Sequence, residues 1–233
     1  MCVKLYAHFF FNVQYWQRIG ASMSFKSKAK YMLSFSIINF ALYFWIQSMV
    51  TQHQYDLMTT IDEIIPFMPE HIWIYHSILP VITATMFLLV KSKRNFFVTF
   101  WTCVTAMAVL NISYLMFPSF YPRPEFEINT LSELLVDLTR KIDGANNTFP
   151  SGHVTFAWVM FWGVCHTKLA NELKGMKSLY CLWALGISMS TLVLKQHYIV
   201  DVFSGFCLAL TCFFLVKSVI EYYNVYQDTE VLE

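Results

Sequence analysis

The sequence predicts an all-α membrane protein: a six-transmembrane-helix bundle with an interfacial N-terminal segment and a long extracytoplasmic loop between helices 3 and 4. Three observations carry that expectation. Of 233 residues, 57% are hydrophobic and only 13% charged, about half the charged share of an average soluble domain. Apolar stretches of about 20 residues, the length a helix needs to cross the hydrocarbon core, recur along the chain. Lys and Arg gather in alternate connections between those stretches, which is the pattern that orients spans. The formal net charge of +1 gives no footing for a nucleic-acid partner; the expected surroundings are a lipid bilayer.

Residues 1–30 read as an interfacial, cytoplasmic segment. Tyr6, Phe9, Phe10, Phe11, Tyr15 and Trp16 suit the headgroup level, and Lys4, Arg18, Lys26, Lys28 and Lys30 suit anionic lipid. Gln14, Gln17 and Arg18 interrupt the apolar stretch too early for a secretory signal. The membrane domain, residues 31–220, then holds spans at 31–50, 72–90 with a kink expected at Pro80, 96–117, a short one from 154 fading near 165, 178–194 and 199–219. Residues 221–233 form a cytoplasmic tail. Between the third and fourth spans, residues 131–142 predict an amphipathic helix. Leu131, Leu134, Leu135 and Leu138 form its apolar face, with Glu133, Asp137, Arg140 and Lys141 on the wet one.

Orientation follows from the loops. Lys91, Lys93 and Arg94 lie in one connection and Lys168, Lys174 and Lys177 in another, while residues 51–71 carry Asp56, Asp62, Glu63 and Glu70 without a cation. Both termini are therefore expected in the cytoplasm, and residues 118–152 and 195–198 on the opposite face. Of six cysteines, Cys103, Cys165, Cys181, Cys207 and Cys212 fall inside apolar stretches, where a thiol is a small apolar group. Neither a disulfide framework nor a metal site is expected of them.

Three polar clusters interrupt this apolar pattern. In FPSGH, residues 149–153, Pro150 fits a first helical turn. Ser151, Gly152 and His153 then present backbone N–H groups at a positive helix end, a natural anion site. In KQHYIVDV, residues 195–202, His197 and Asp201 stand four apart on one helical face. A carboxylate accepting the Nδ1–H leaves Nε2 as nucleophile or base. In YPRPEF, residues 121–126, two prolines stiffen the backbone around Arg123, whose guanidinium suits phosphate. The inventory fits phosphoryl transfer through a covalent phosphohistidine, and no cofactor or metal is called for.

These motifs, in this order, resemble the type 2 phosphatidic acid phosphatase superfamily of membrane lipid phosphatases and phosphotransferases. The words KIDGANNTFPSGH and STLVLKQHYIVD resemble its bacterial and sphingolipid-synthase-like branches most. The resemblance covers roughly residues 70–220. It implies that His197 attacks phosphorus, Asp201 orients it, and His153 protonates the leaving oxygen. Arg123, Ser151 and the Gly152 N–H would hold phosphoryl oxygens. Two cations usual in the superfamily are absent, with Met116 and Thr191 in their places; Lys195 is the first substitute expected, ahead of Arg140 or Lys141. The expected activity is a lipid phosphate phosphatase of a bacterial inner membrane, with its site on the periplasmic or lumenal face. A lipid phosphotransferase and a non-catalytic lipid-binding or transport protein are the alternatives.

Overall fold

The computed structural model describes residues 22–50 and 55–230. The aromatic and basic residues of the predicted interfacial segment up to Arg18 lie outside them. The described elements are helices: α1, Phe25–Met49; α2, Thr60–Ile64; α3, Pro69–Leu89; α4, Lys93–Met116; α5, Leu131–Ile142; α6, Gly152–Cys165; α7, Lys168–Glu172; α8, Met176–Val193; and α9, Ile199–Glu230. Among them, α1, α3, α4, α8 and residues Ile199–Tyr223 of α9 are long and apolar enough to cross a membrane. The remaining predicted span, α6, has 14 residues, about 21 Å of helix. The chain is thus a multi-pass membrane protein with five helices of spanning length and one short central helix.

The reason α6 can be short lies in its position. It packs against α4, α8 and α9, and Val154, Ala157, Val159, Met160 and Val164 are fully buried. Its backbone groups meet protein rather than lipid, so the bilayer does not fix its length. Its two ends nevertheless touch both ends of the bundle. Ser151 begins it beside α9, and at the far end Asn95 Nδ2 donates to the His166 carbonyl at 2.7 Å. Lys217 Nζ lies 3.0 Å from His166 Nε2, and Arg94 pairs with Glu221 at 2.5 Å.

Close approach of α9 to α6 depends on Gly205. A Cβ there would fall 2.7 Å from the Ser151 carbonyl oxygen and 3.2 Å from Thr155 Oγ1, so only a residue without one lets the two helices meet. Thr155 Oγ1 donates to Ser151 O at 2.8 Å and to Gly205 O at 3.2 Å, closing the contact.

The expected kink in α3 appears one turn before Pro80, where its ring crowds the carbonyl four residues back. The helix breaks at Ser77, whose N–H bonds Ile74 O at 3.0 Å, a 3₁₀ spacing. The last turn, Thr85–Leu89, is a π-helix. Lys28 corrects one expectation here. Rather than facing lipid headgroups, it is buried, and its Nζ donates to the carbonyls of Met86, Phe87 and Val90 at 2.8, 3.2 and 2.7 Å. The orphan carbonyls of a helix end attract a cation. α1 also begins at Phe25, capped by Ser24, several residues before the predicted start.

The amphipathic segment forms α5 with the expected bounds and a Thr130–Glu133 capping box. Of the leucine face only Leu135 packs against the bundle, beside Val136. Val136 is fully buried, whereas Leu131, Leu134 and Leu138 are exposed. Arg140 is likewise not on the wet side. Its guanidinium lies over the Phe67 and Phe126 rings and donates to the Leu194 carbonyl at 3.0 Å. Burial lowers its pKa to about 10, which leaves it charged at neutral pH.

The acidic connection before α3 has structural work as well as an orienting role. Asp62 is buried, and its Oδ1 accepts from Ile199 N at 2.8 Å, capping α9 from a distant segment. Tyr198 Oη donates to Asp56 Oδ1 at 2.7 Å.

Candidate active site

α6 and α9 both begin at one end of the bundle, and their first residues meet there. The loop before α9 is drawn tight by one acceptor. The Thr191 carbonyl receives both Gln196 N, at 3.0 Å, and His197 N, at 3.2 Å. Lys195, at φ 55°, makes the reversal. His197 is thereby turned back toward the segment preceding α6, where its Nδ1 lies 2.9 Å from the Thr148 carbonyl oxygen. A carbonyl only accepts, so Nδ1 carries the proton and Nε2 keeps its lone pair. Asp201 is behind the ring, fully buried, with Oδ2 3.5 Å from Nδ1 and accepting from Tyr198 N at 2.9 Å. The two residues share a helical face as expected, but Thr148 makes the shorter bond.

FPSGH differs in detail from its expected geometry. Pro150 precedes the helix, and Ser151 is the N-cap, its Oγ accepting weakly from Val154 N at 3.5 Å. Ser151 N donates to Asp201 O at 3.0 Å, so that N–H is already engaged; Gly152 and His153 occupy the first helical positions. The capping residue here is the serine, because its hydroxyl can accept from the first turn and a proline ring cannot. Gly152 faces the Tyr114 hydroxyl, 3.3 Å from where a Cβ would stand.

His153 stacks on Tyr75, ring centroids 4.2 Å apart. Tyr75 Oη lies 3.4 Å from His153 Nδ1 and 3.4 Å from Asp143 Oδ2, while Asp143 Oδ1 accepts from the Tyr43 hydroxyl. A carboxylate cannot donate, so the single Tyr75 proton points to Asp143. Its lone pair then accepts the His153 Nδ1–H, though both contacts are long. The His153 and His197 rings are 6.4 Å apart.

The predicted cations distribute differently. Arg123 reaches the same cavity as the two histidines. Its Nη1 donates to the carbonyls of Arg140 and Asp143 at 3.2 and 2.5 Å, and its Nη2 to Gly144 at 2.7 Å, while its buried Nε has no partner among the described residues. Lys195 turns away from the cavity. Its Nζ donates to the Asp62 carbonyl at 2.9 Å, where it pins the turn. Lys141 pairs with Asp137 at 2.7 Å on the surface. Of the two positions where cations were missing, Met116 is exposed and Thr191 is buried with its hydroxyl on the Ser188 carbonyl.

The cavity between these groups has a volume of about 280 Å³. Its polar end holds His153, His197, Arg123, Asp143, Asn147 and Gln196; its apolar wall includes Phe40, Phe44, Leu79, Ile82 and Phe156. Phe40, Phe44 and Leu79 are also exposed, so the cavity opens between α1 and α3 on the side of the bundle.

Residues 99–224, more than half of the chain, match the family model described as the PAP2 superfamily. The chain belongs to the PAP2 superfamily. Among curated proteins none matches it. Superfamily members are phosphoric ester hydrolases, and membership makes this a membrane protein of phosphatase or phosphotransferase type. The matched stretch contains Arg123, the FPSGH turn and the HxxxD pair. Tyr75 lies outside it. Sequence reasoning missed Tyr75, Asp143, Asn147 and Gln196. Gln196 directly precedes His197, and Asp143 and Asn147 stand in KIDGANNTFPSGH, so adjacency was a usable signal for three of the four.

Proposed function

We propose that this membrane protein releases the phosphoryl group of a lipid phosphate through a phosphohistidine on His197. The observation that carries the reading is the Thr148 carbonyl on His197 Nδ1, which makes Nε2 the lone-pair nitrogen of the neutral ring, in a cavity shared with His153. Nε2 forms the P–N bond as the lipid P–O bond breaks, and His153, entering the step as the imidazolium with Nδ1–H held on Tyr75, delivers its second ring proton to the departing oxygen. Water then attacks phosphorus, the P–N bond breaks, and His153 recovers a proton. Such proton transfers contribute about 10²–10⁴-fold each. The Arg123 Nε, without a partner among the described residues, is the donor this cavity offers the phosphoryl oxygens, while Gly152 lies against the Tyr114 hydroxyl.

A lipid fits because the cavity has a polar floor and an apolar side opening. A headgroup reaches the histidines while its chains stay against Phe40, Phe44 and Leu79. Lys91, Lys93, Arg94, Lys168 and Lys177 belong to the opposite end of the bundle, which by the distribution of cations favours a cytoplasmic location for that end. The site is accordingly assigned to the extracytoplasmic face.

The test gives purified protein a panel of lipid phosphates in EDTA and measures free phosphate. Metal-independent release abolished by His197→Ala, with an acid-labile phosphoenzyme trapped in the wild type, is the expected result. Release that survives His197→Ala would remove the nucleophile assignment.

A further inference from the structure

The apolar wall of the cavity is interrupted by two amides. Asn39 of α1 and Asn111 of α4 line it among Phe40, Ile82, Leu110 and Phe156, and both are half-buried. Asn39 has no hydrogen bond to any of the described residues. Asn111 Nδ2 donates to the Met107 carbonyl, one turn back in its own helix, at 2.9 Å. Its other amide N–H and its Oδ1 have no partner among the described residues. Amides in spanning helices ordinarily bond a neighbouring helix. These two bond no neighbouring helix and face the cavity, so packing leaves the cost of placing them in an apolar setting unanswered.

Their depth follows from the helices that carry them. α1 and α4 both run toward the histidine end, where the Val50 carbonyl accepts from Asn146 Nδ2 at 2.8 Å. Near that end the Tyr43 hydroxyl donates to Asp143 and the Tyr114 hydroxyl to the Pro150 carbonyl at 3.1 Å, with the two rings 6.4 Å apart. Asn39 and Asn111 stand one turn before these tyrosines on the same helical faces. The amides therefore share a level, about 5 Å deeper in the bundle than the tyrosine rings. A lipid whose phosphate rests at His197 passes this level with the atoms that join headgroup to chains. Glycerolipids have ester carbonyls there and sphingoid lipids an amide carbonyl, while polyprenyl and alkyl chains have neither. A carbonyl only accepts, and the unspent amide N–H groups of Asn39 and Asn111 only donate.

We propose that Asn39 and Asn111 form a carbonyl-binding site within the apolar part of the cavity, so that lipids joined to their chains through a carbonyl are selected over those with ether or purely hydrocarbon linkages. This rests on the lipid-phosphate reading and names the side chains that read the linkage rather than the phosphate. Asn111 lies inside the stretch matched to the superfamily and Asn39 outside it. The selection therefore depends on α1, the helix that also borders the side opening through Phe40 and Phe44.

The experiment compares a diacyl phosphatidic acid with its dialkyl ether analogue of the same chain length, and with a ceramide phosphate. Binding is measured in detergent as displacement of a fluorescent phosphatidic acid from the His197→Ala protein, and phosphate release is followed separately with His197 present. Asn39→Leu and Asn111→Leu, which keep the side-chain size and delete the amide, are read alongside Asn39→Gln, which keeps it. Thermal unfolding verifies the fold of every variant. The diacyl lipid is expected to bind about fivefold better than the ether, the worth of one neutral hydrogen bond. Asn39→Leu should bring that ratio to about one, Asn111→Leu should reduce it, and Asn39→Gln should retain part of it. The tighter binder of phosphatidic acid and ceramide phosphate then assigns the carbonyl to an ester or to an amide. Equal binding of the diacyl and ether lipids, or a ratio that survives in the folded leucine variants, would overturn the site and leave the two amides to water. No His197-dependent phosphate release from any of the three lipids would overturn the transfer reading, with the binding ratio still deciding the carbonyl site.

Discussion

Thr148 contributes a carbonyl oxygen to His197, and that oxygen, nearer to Nδ1 than Asp201 is, suffices to make Nε2 the basic nitrogen. The consequence for Asp201 is specific. In sites where a carboxylate is the sole partner of the imidazole, replacing it by an amide lets the wrong tautomer in and costs about 10⁴ in kcat. Here Thr148 preserves the tautomer, so Asp201→Asn should lower kcat by about 10²-fold, through the lost charge beside the ring. The Nδ1–H should remain visible by ¹⁵N NMR; a shift of the proton to Nε2 would show that Asp201 governs the tautomer after all. Tyr75 is the corresponding positioning residue for His153, standing between its Nδ1 and Asp143. Tyr75→Phe keeps the stacked ring and removes the bridge. It is expected to lower kcat about tenfold with KM unchanged, in line with losing one neutral hydrogen bond of about 1 kcal/mol; a rise in KM instead would assign Tyr75 to binding. The basic Nε2 and its Asp201 partner were expected from the sequence; the Thr148 carbonyl and Tyr75 were not legible in it. The HxxxD spacing names the partner that a helix makes available, but a loop carbonyl has no side-chain signature, and Tyr75 is one aromatic residue in an apolar span.

The elements were easier to read than their faces. Long apolar stretches gave α1, α3, α4, α8 and α9, and the leucine spacing gave α5 with its bounds, because length and periodicity are properties of consecutive residues. Which face turns inward is a property of the neighbours. Leu131, Leu134 and Leu138 of α5 stay exposed while Val136, with Leu135 beside it, packs on Ile72, Tyr75 and Leu194. Lys28 reads as an interfacial cation until α3 supplies three carbonyls for it. Gly205 is the sharpest case: a glycine in a helical stretch that the sequence gives no reason to single out. Alanine there gains about 1 kcal/mol of helix propensity, but its Cβ would press on a backbone carbonyl at 2.7 Å that cannot rotate aside. Overpacking of about 1–3 kcal/mol should prevail. Gly205→Ala is therefore expected to unfold at lower temperature in detergent and to lose activity, since the shift separates α9 from Ser151. An unchanged melting temperature would mean that α6 and α9 slide without strain.

At the scale of the whole molecule, the basic connections 91–94 and 168–177 lie at one end and the histidines at the other. Cysteines introduced at Lys174 and at Glu125 are expected to react with impermeant maleimide from opposite sides of the membrane, Glu125 from outside in intact cells. Labelling of both from the same side would overturn the orientation. The alternation of cations was readable because it is compositional. The number of helices that meet lipid was not, since an apolar composition is the same whether the solvent is lipid or protein, and α6 is apolar for the second reason.

The shortness of α6 has a mechanical consequence. A bilayer that thickens or thins acts on helices it touches, which tilt or stretch their surroundings to match. The helix that carries His153 is ringed by α4, α8 and α9 and is shielded from that adjustment. Its outer neighbours can tilt while Gly205 and the Ser151–Asp201 backbone bond keep the two histidines in register. Turnover in vesicles whose host lipids differ by a few methylenes should vary by less than about twofold, the response of a reaction floor uncoupled from membrane thickness.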